Sequence, residues 1–142
     1  MPPLPVSHPC QSLGELNGVE VTGEVPDVEP HLSSGSVYAC PMVSGTGIKN
    51  KLLEAMANGL PCVASPLAAQ GLSVQDGVEL QLAAPENFAR RLIELLRDEG
   101  RASALGRAAQ DYALGHHSWG AAAARYVEVY GELTASSRPS PK

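Results

Sequence analysis

Aromatic side chains are scarce: one Trp, one Phe and four Tyr make up 4% of the 142 residues. A core built from large rings is therefore excluded, and Leu, Val and Ala must fill it. Positive charge is short as well. Ten Lys and Arg stand against fifteen Asp and Glu, a formal net charge of −5. That balance argues against a general nucleic-acid binder or membrane-surface binder, because both need a basic face. A ligand phosphate must be met by a local site. Cysteine is limited to Cys10, Cys40 and Cys62, an odd and widely spaced set with no C-x-x-C pair. Neither a disulfide framework nor a zinc site is indicated. Cys40 and Cys62 each sit in a short apolar run and read as small buried hydrophobes. No apolar run approaches the roughly 20 residues of a membrane span. The segment MPPLPVSHP lacks the charged and apolar stretches of a signal peptide, so the cytoplasm is the expected compartment.

Hydrophobic residues make up 44% of the chain, enough for one globular domain able to bury roughly two-thirds of its unfolded surface. Residues 1–15, with Pro2, Pro3, Pro5 and Pro9, read as an extended or disordered lead-in, and 135–142 as a disordered tail. Between them, in 16–134, strand and helix signals alternate. Val19–Thr22, Val37–Cys40, Cys62–Ala64 and Val78–Ala83 are short apolar strand candidates. Helices are expected over Val28–Ser33 and Ile48–Asn58, the latter closed by Gly59 in the left-handed position past its end. Three apolar stripes follow. Phe88, Leu92, Leu95 and Leu96 form the first, with Pro85 in the first turn. Leu105, Ala108 and Tyr112 form the second. Trp119, Ala122, Tyr126, Val129 and Leu133 form the third, with Ser118 as N-cap. This alternation predicts an α/β fold with a Rossmann-like, mostly parallel sheet and flanking helices. Ligands bind outside the carboxyl ends of such strands.

The chemistry is expected in P41-M-V-S-G-T-G-I-K-N-K-L-L-E-A-M-A-N-G-L-P-C-V-A-S65. Gly45 and Gly47 let the backbone approach a ligand, and the helix that follows offers free N–H groups and the positive end of its dipole to an anion. Lys49 and Lys51 add positive charge. Lys51 and Glu54 share a helix face, and an acidic residue beside a phosphate site suits ribose hydroxyls. The plain alternative is a pair of solvated lysines and a surface Lys51–Glu54 salt bridge. His116 and His117 are adjacent, lack the i, i+4 spacing of helical metal pairs, and read as structural or solvated. No metal site is indicated.

The run GTGIKNKLLEAMANGLPCVAS resembles the donor-site segment of retaining glycosyltransferases of the GT-B fold, family four (group 1). G18-V-E-V-T-G-E-V-P-D27 and V37-Y-A-C-P41 resemble that family's preceding strands and loops, and H117-S-W119 the lead into its last helices. The resemblance runs from about Leu16 to Leu133. It implies an incomplete C-terminal half of a GT-B fold, lacking the acceptor-binding domain and the first two strand–helix units of the donor domain. The Val19–Thr22 strand would then lack its usual neighbours. It would pair beside Val37–Cys40, pair with another chain, or be loosely held.

The resemblance also implies roles. Glu54 matches the second glutamate of the family's Glu-(seven residues)-Glu motif and would hold ribose hydroxyls. Thr46 stands where the first glutamate, which holds the donor sugar, would be, and a hydroxyl is not a charged acceptor. Gly45, Gly47 and Ile48 would present backbone to diphosphate and sugar, Lys51 would sit near the phosphates, and backbone near Val25 would meet the nucleobase. No cofactor is implied beyond the donor, a UDP-, GDP- or other nucleoside-diphosphate sugar, and no catalytic residue is assigned. Expected partners are the nucleotide sugar and an acceptor-binding domain or a second copy of the chain. Transfer with retention is the expected reaction, with the chain inactive alone. A non-catalytic nucleotide-binding or interaction module is the alternative.

Overall fold

The structure, a computed structural model, describes residues 12–136. The chain divides into two compact units at His31/Leu32, and each is described by itself. In the first, turns dominate: Leu16 N–H bonds Leu13 C=O at 3.1 Å, and Val19 N–H bonds Leu16 C=O at 3.1 Å. The expected strand over Val19–Thr22 does not form; the segment is irregular. Val19 is 43% exposed and Val21 38%, so its valines bury no alternating face, and the sheet described below does not include it. The 1–11 part of the lead-in, with Cys10, lies outside the described residues, as do 137–142 of the tail.

A short helix, α1 (Glu29–Ser34), leads into the second unit. There β1 (Tyr38–Cys40), α2 (Asn50–Ala57), β2 (Cys62–Ala64) and β3 (Gln81–Leu82) follow in order. A 3-10 turn over Pro85–Asn87 then precedes α3 (Phe88–Arg97), α4 (Glu99–His117) and α5 (Trp119–Ser136). The strands form one parallel sheet in the order β1-β2-β3, with Ala39 opposite Val63 and Val63 opposite Gln81. The α/β class with a parallel sheet is thus as the alternation predicts. The Val78–Ala83 candidate shortens to Gln81–Leu82. Its first half is a turn in which Gly77 N–H bonds Leu80 C=O at 2.8 Å, while the Asp76 carboxylate accepts from Leu82 N–H at 2.8 Å and from the Gln81 side chain at 2.7 Å.

Alternation along β2 divides the interior into two layers. Cys62 and Ala64 join Leu52, Met56, Ala109 and Tyr112 in the cluster beneath α2 and α4. Val63 points the other way, to Ala83, Leu95 and Leu105, with Phe88 and Leu92 against them. Fully buried strands need such apolar runs, and Cys62-Val63-Ala64 is one. The first two helical stripes face these layers except at Leu96, which is 50% exposed. The third does not: Trp119 is 92% exposed, and Tyr126, Val129 and Leu133 are exposed as well. α5 forms, and Ser118 Oγ caps it by accepting from Ala121 N–H at 3.1 Å, but its apolar face looks outward.

The end of α2 is a Schellman motif. Leu60 N–H reaches Ala55 C=O at 3.1 Å and Gly59 N–H reaches Met56 C=O at 2.9 Å, with Gly59 at φ +75°. The C-terminal carbonyl of Ala57 accepts from Gln110 Nε2 at 3.0 Å, so α4 both packs on α2 and satisfies its end. The contact is close because Gly106 faces Gly59: a Cβ on Gly106 would lie 2.2 Å from the Gly59 carbonyl oxygen. Gly106→Ala must therefore push α4 off α2 and should cost about 1–3 kcal/mol of stability. Gly115, in the same helix, has nothing within 4 Å of such a Cβ. Gly115→Ala should stabilise by roughly 0.5–1 kcal/mol through helix propensity. Urea denaturation of both variants checks the opposed signs.

Candidate functional site

Past Cys40 the chain leaves the carboxyl end of β1 and turns through Ser44–Lys49 into α2. Gly45 (φ +129°) and Gly47 (φ +73°) occupy backbone conformations closed to ordinary residues. A Cβ on Gly45 would meet Met42 Cε at 2.9 Å and Lys49 Nζ at 3.3 Å, whereas one on Gly47 would meet nothing within 4 Å. Gly45 thus packs against the protein and Gly47 faces open space. Lys49 Nζ donates to Thr46 C=O at 2.6 Å, so its ammonium lies across the loop. Ile48 rests near Gly71, whose Cβ would lie 3.4 Å from Ile48 Cγ1.

Lys49 is also the N-cap of α2, with extended backbone and no side-chain cap. Its carbonyl accepts from Leu52 N–H at 2.9 Å and Leu53 N–H at 3.2 Å. The first-turn N–H groups of Asn50 and Lys51 precede any intrahelical partner and are offered outward with the positive end of the dipole. Lys51 and Glu54 are both exposed, one turn apart. No ion pair joins them: the salt bridges among the described residues are Arg90–Glu94 at 2.7 Å and Arg91–Glu94 at 4.0 Å, both on α3. Glu54 borders a groove of about 530 Å³ between α2 and the α4–α5 corner, where Asn50, His117 and Trp119 also line it. Of the expected site residues, Gly45, Thr46, Gly47, Ile48, Lys51 and Glu54 all fall in the second unit, on one loop and the helix that continues it. Val25, half-buried, belongs to the first unit.

Ser65 ends the segment in which the sequence places the chemistry, with no role assigned to it there. Its N–H bonds Cys40 C=O at 3.1 Å, its Oγ donates to Met42 C=O at 2.7 Å, and that Oγ accepts from Ala68 N–H at 3.2 Å. One buried hydroxyl ties the loop after β1 to the turn after β2. The available signal was a small hydroxyl directly behind an apolar strand. Tyr112 belongs to the second apolar stripe, which marks it as a core position alone. Its hydroxyl accepts from Ser73 N–H at 2.9 Å and lies 3.3 Å from His117 Nε2, while His116 stacks on its ring at 4.7 Å. No group of three or more His, Cys, Asp or Glu among the described residues is placed to hold a metal.

Both thiols beneath the loop are shifted toward the protonated form. Burial pushes Cys62 from its ordinary 9.0 up to about 12, with the neighbouring Cys40 adding to the shift. Burial also raises Cys40, partly opposed by Lys49. Tyr38 rises to about 12, chiefly through burial, with Cys40, Cys62 and Glu54 contributing.

A parallel α/β sheet with a glycine loop and a helix N-terminus at its carboxyl end defines a Rossmann-like domain. The family is more specific. Residues 5–98 match the family of glycosyl transferases group 1, and the chain belongs to it. It is 27% identical over 123 residues to an uncharacterised glycosyltransferase of Methanocaldococcus jannaschii, across 82% of this chain and 31% of that protein. It is 38% identical over 89 residues to a D-inositol 3-phosphate glycosyltransferase of Salinispora tropica, across 61% of this chain and 18% of that protein. The chain thus spans less than a third of the length of either relative.

The raised thiol and phenol values set an alkaline limit. The unfolded chain releases these protons near 9.0 for Cys62 and 10.0 for Tyr38, while the fold holds them to about 12. Over that window the folded state binds more protons, so stability falls as pH rises. Urea midpoints at a series of pH values between 8 and 12 should decline, and Cys62→Ala and Tyr38→Phe should each flatten the slope. A slope identical in both variants and the parent would show that neither group carries it.

Proposed function

We propose that this chain is the donor-binding portion of a retaining glycosyltransferase, taking a nucleoside-diphosphate sugar at the Ser44–Glu54 segment. The observation that supports this most is the unpaired Glu54 carboxylate one turn from Lys51, on the helix whose N-terminus follows the glycine loop. The diphosphate would lie against the N–H groups at Gly47–Lys51, with Lys51 beside it. Glu54 would accept from the ribose hydroxyls. Fixed dipoles and cations of this kind stabilise a departing nucleoside diphosphate without reorganising. The sugar would leave with retention of anomeric configuration, as in the GT-B members of the family. The two free, buried thiols Cys40 and Cys62 suit a reducing compartment such as the cytoplasm.

The chain alone should not transfer sugar, since much of such a rate comes from holding donor and acceptor together. Thr46, in place of a carboxylate, favours a second reading: a module that binds nucleotide without transferring. A labelled-donor assay with and without an acceptor-binding domain separates the two.

Binding distinguishes the residue roles. Glu54→Ala should weaken nucleoside and nucleoside diphosphate alike, by roughly 1.5–3 kcal/mol for a lost charge-assisted hydrogen bond. Lys51→Ala should weaken the diphosphate far more than the nucleoside, with an effect that shrinks as salt rises. Calorimetric titration at two salt concentrations reads both. Equal losses for the two ligands in the Lys51 variant would remove lysine from the phosphate.

A further inference from the structure

α5 carries a heptad pattern that the fold leaves uncovered. Trp119, Tyr126 and Leu133 recur every seven residues, Ala122 and Val129 fall three after the first two, and Tyr130 flanks them, which is the spacing of a coiled-coil seam. Trp119, Tyr126, Val129 and Tyr130 are all exposed. Every residue from Ala123 to Thr134 is exposed. The helix has 18 residues, a length of about 27 Å.

Charge selects the partner. Arg125 and Glu132 are one heptad apart, each immediately before a seam position, and both are exposed. They form no salt bridge among the described residues. In an antiparallel pair of identical helices, flanking positions of this type face each other across the seam, so Arg125 of each copy meets Glu132 of the other. A two-fold axis between Val127 and Glu128 places them so. The same alignment sets small against large, with Ala122 opposite Leu133 and Tyr126 opposite Val129. A parallel pair would bring neither charge to an opposite one.

We propose that α5 pairs with α5 of a second copy of this chain, antiparallel, through the Trp119–Leu133 seam, with two symmetric Arg125–Glu132 ion pairs fixing the direction. This pairing needs no ligand, and Trp119 at one end of the seam also lines the groove that Glu54 borders.

Sedimentation velocity from about 1 to 200 μM tests it. The chain should pass from monomer to dimer with rising concentration. Arg125→Glu and Glu132→Arg should each weaken dimerisation by roughly tenfold or more, through loss of two ion pairs and gain of two like-charge contacts. The double swap, Arg125→Glu with Glu132→Arg, should restore it to within about threefold. Tyr126→Asp should hold the chain monomeric across the range. Far-UV circular dichroism confirms that each variant keeps its helices, which exposed positions permit. A chain monomeric at every concentration would overturn the proposal and leave the seam to a different polypeptide. A dimer indifferent to the single swaps, or a double swap that fails to rescue, would overturn the antiparallel α5 pairing.

Discussion

β2 is three residues long, and both of its faces are buried. Cys62 and Ala64 enter the layer under α2 and α4, while Val63 enters the layer under α3. Neither layer could close without it, and both edges of β2 are bonded, to β1 and to β3. Because β2 fixes the height of β1, it also fixes where β1 stops. Ser65 then carries the pairing one residue past the strands and holds Met42. The glycine loop emerges from that point, so its position is set by an apolar strand that contributes no atom to it.

Two sets of glycines serve opposite ends here. Gly59 and Gly106 permit contact inside the protein: one turns the chain at the end of α2, and the other lets α4 come down on that turn. Gly45 and Gly47 serve the start of the same helix, where Gly47 keeps space clear on the outward side. A helix of eight residues, Asn50–Ala57, is thus anchored at its C-terminus and exposed at its N-terminus. That asymmetry suits a positive dipole end meeting a ligand. In a chain of net charge −5, the proposed phosphate site would draw its attraction locally, from Lys51 and a few N–H groups.

The sequence shows the parallel α/β class, the α2 helix with its glycine stop and the two buried stripes, because each rests on local rules of spacing or backbone conformation. Val19–Thr22 shows what such rules miss. Its residues have strand propensity, but a strand exists only where a neighbour takes its N–H and C=O groups. Trp119–Leu133 shows the complementary error. Periodicity correctly gives a helix with one apolar face, and says nothing of whether anything covers that face. Ser65 and Tyr112 were invisible as organising residues because their partners, Met42 and Ser73, are 23 and 39 residues away.

At the candidate site, the segment itself was legible and its internal division of labour was not. Lys49 and Lys51 are alike in sequence. In the structure Lys49 is committed to the Thr46 carbonyl, whereas Lys51 and Glu54 remain without an ion-pair partner. A surface Lys51–Glu54 bridge, the plain alternative, would have satisfied both charges within α2. An exposed pair of that kind is worth only about 0.2–0.5 kcal/mol, so its absence costs the fold little. Both side chains are consequently left without a partner in α2 at almost no expense in stability, as the proposed donor site would need.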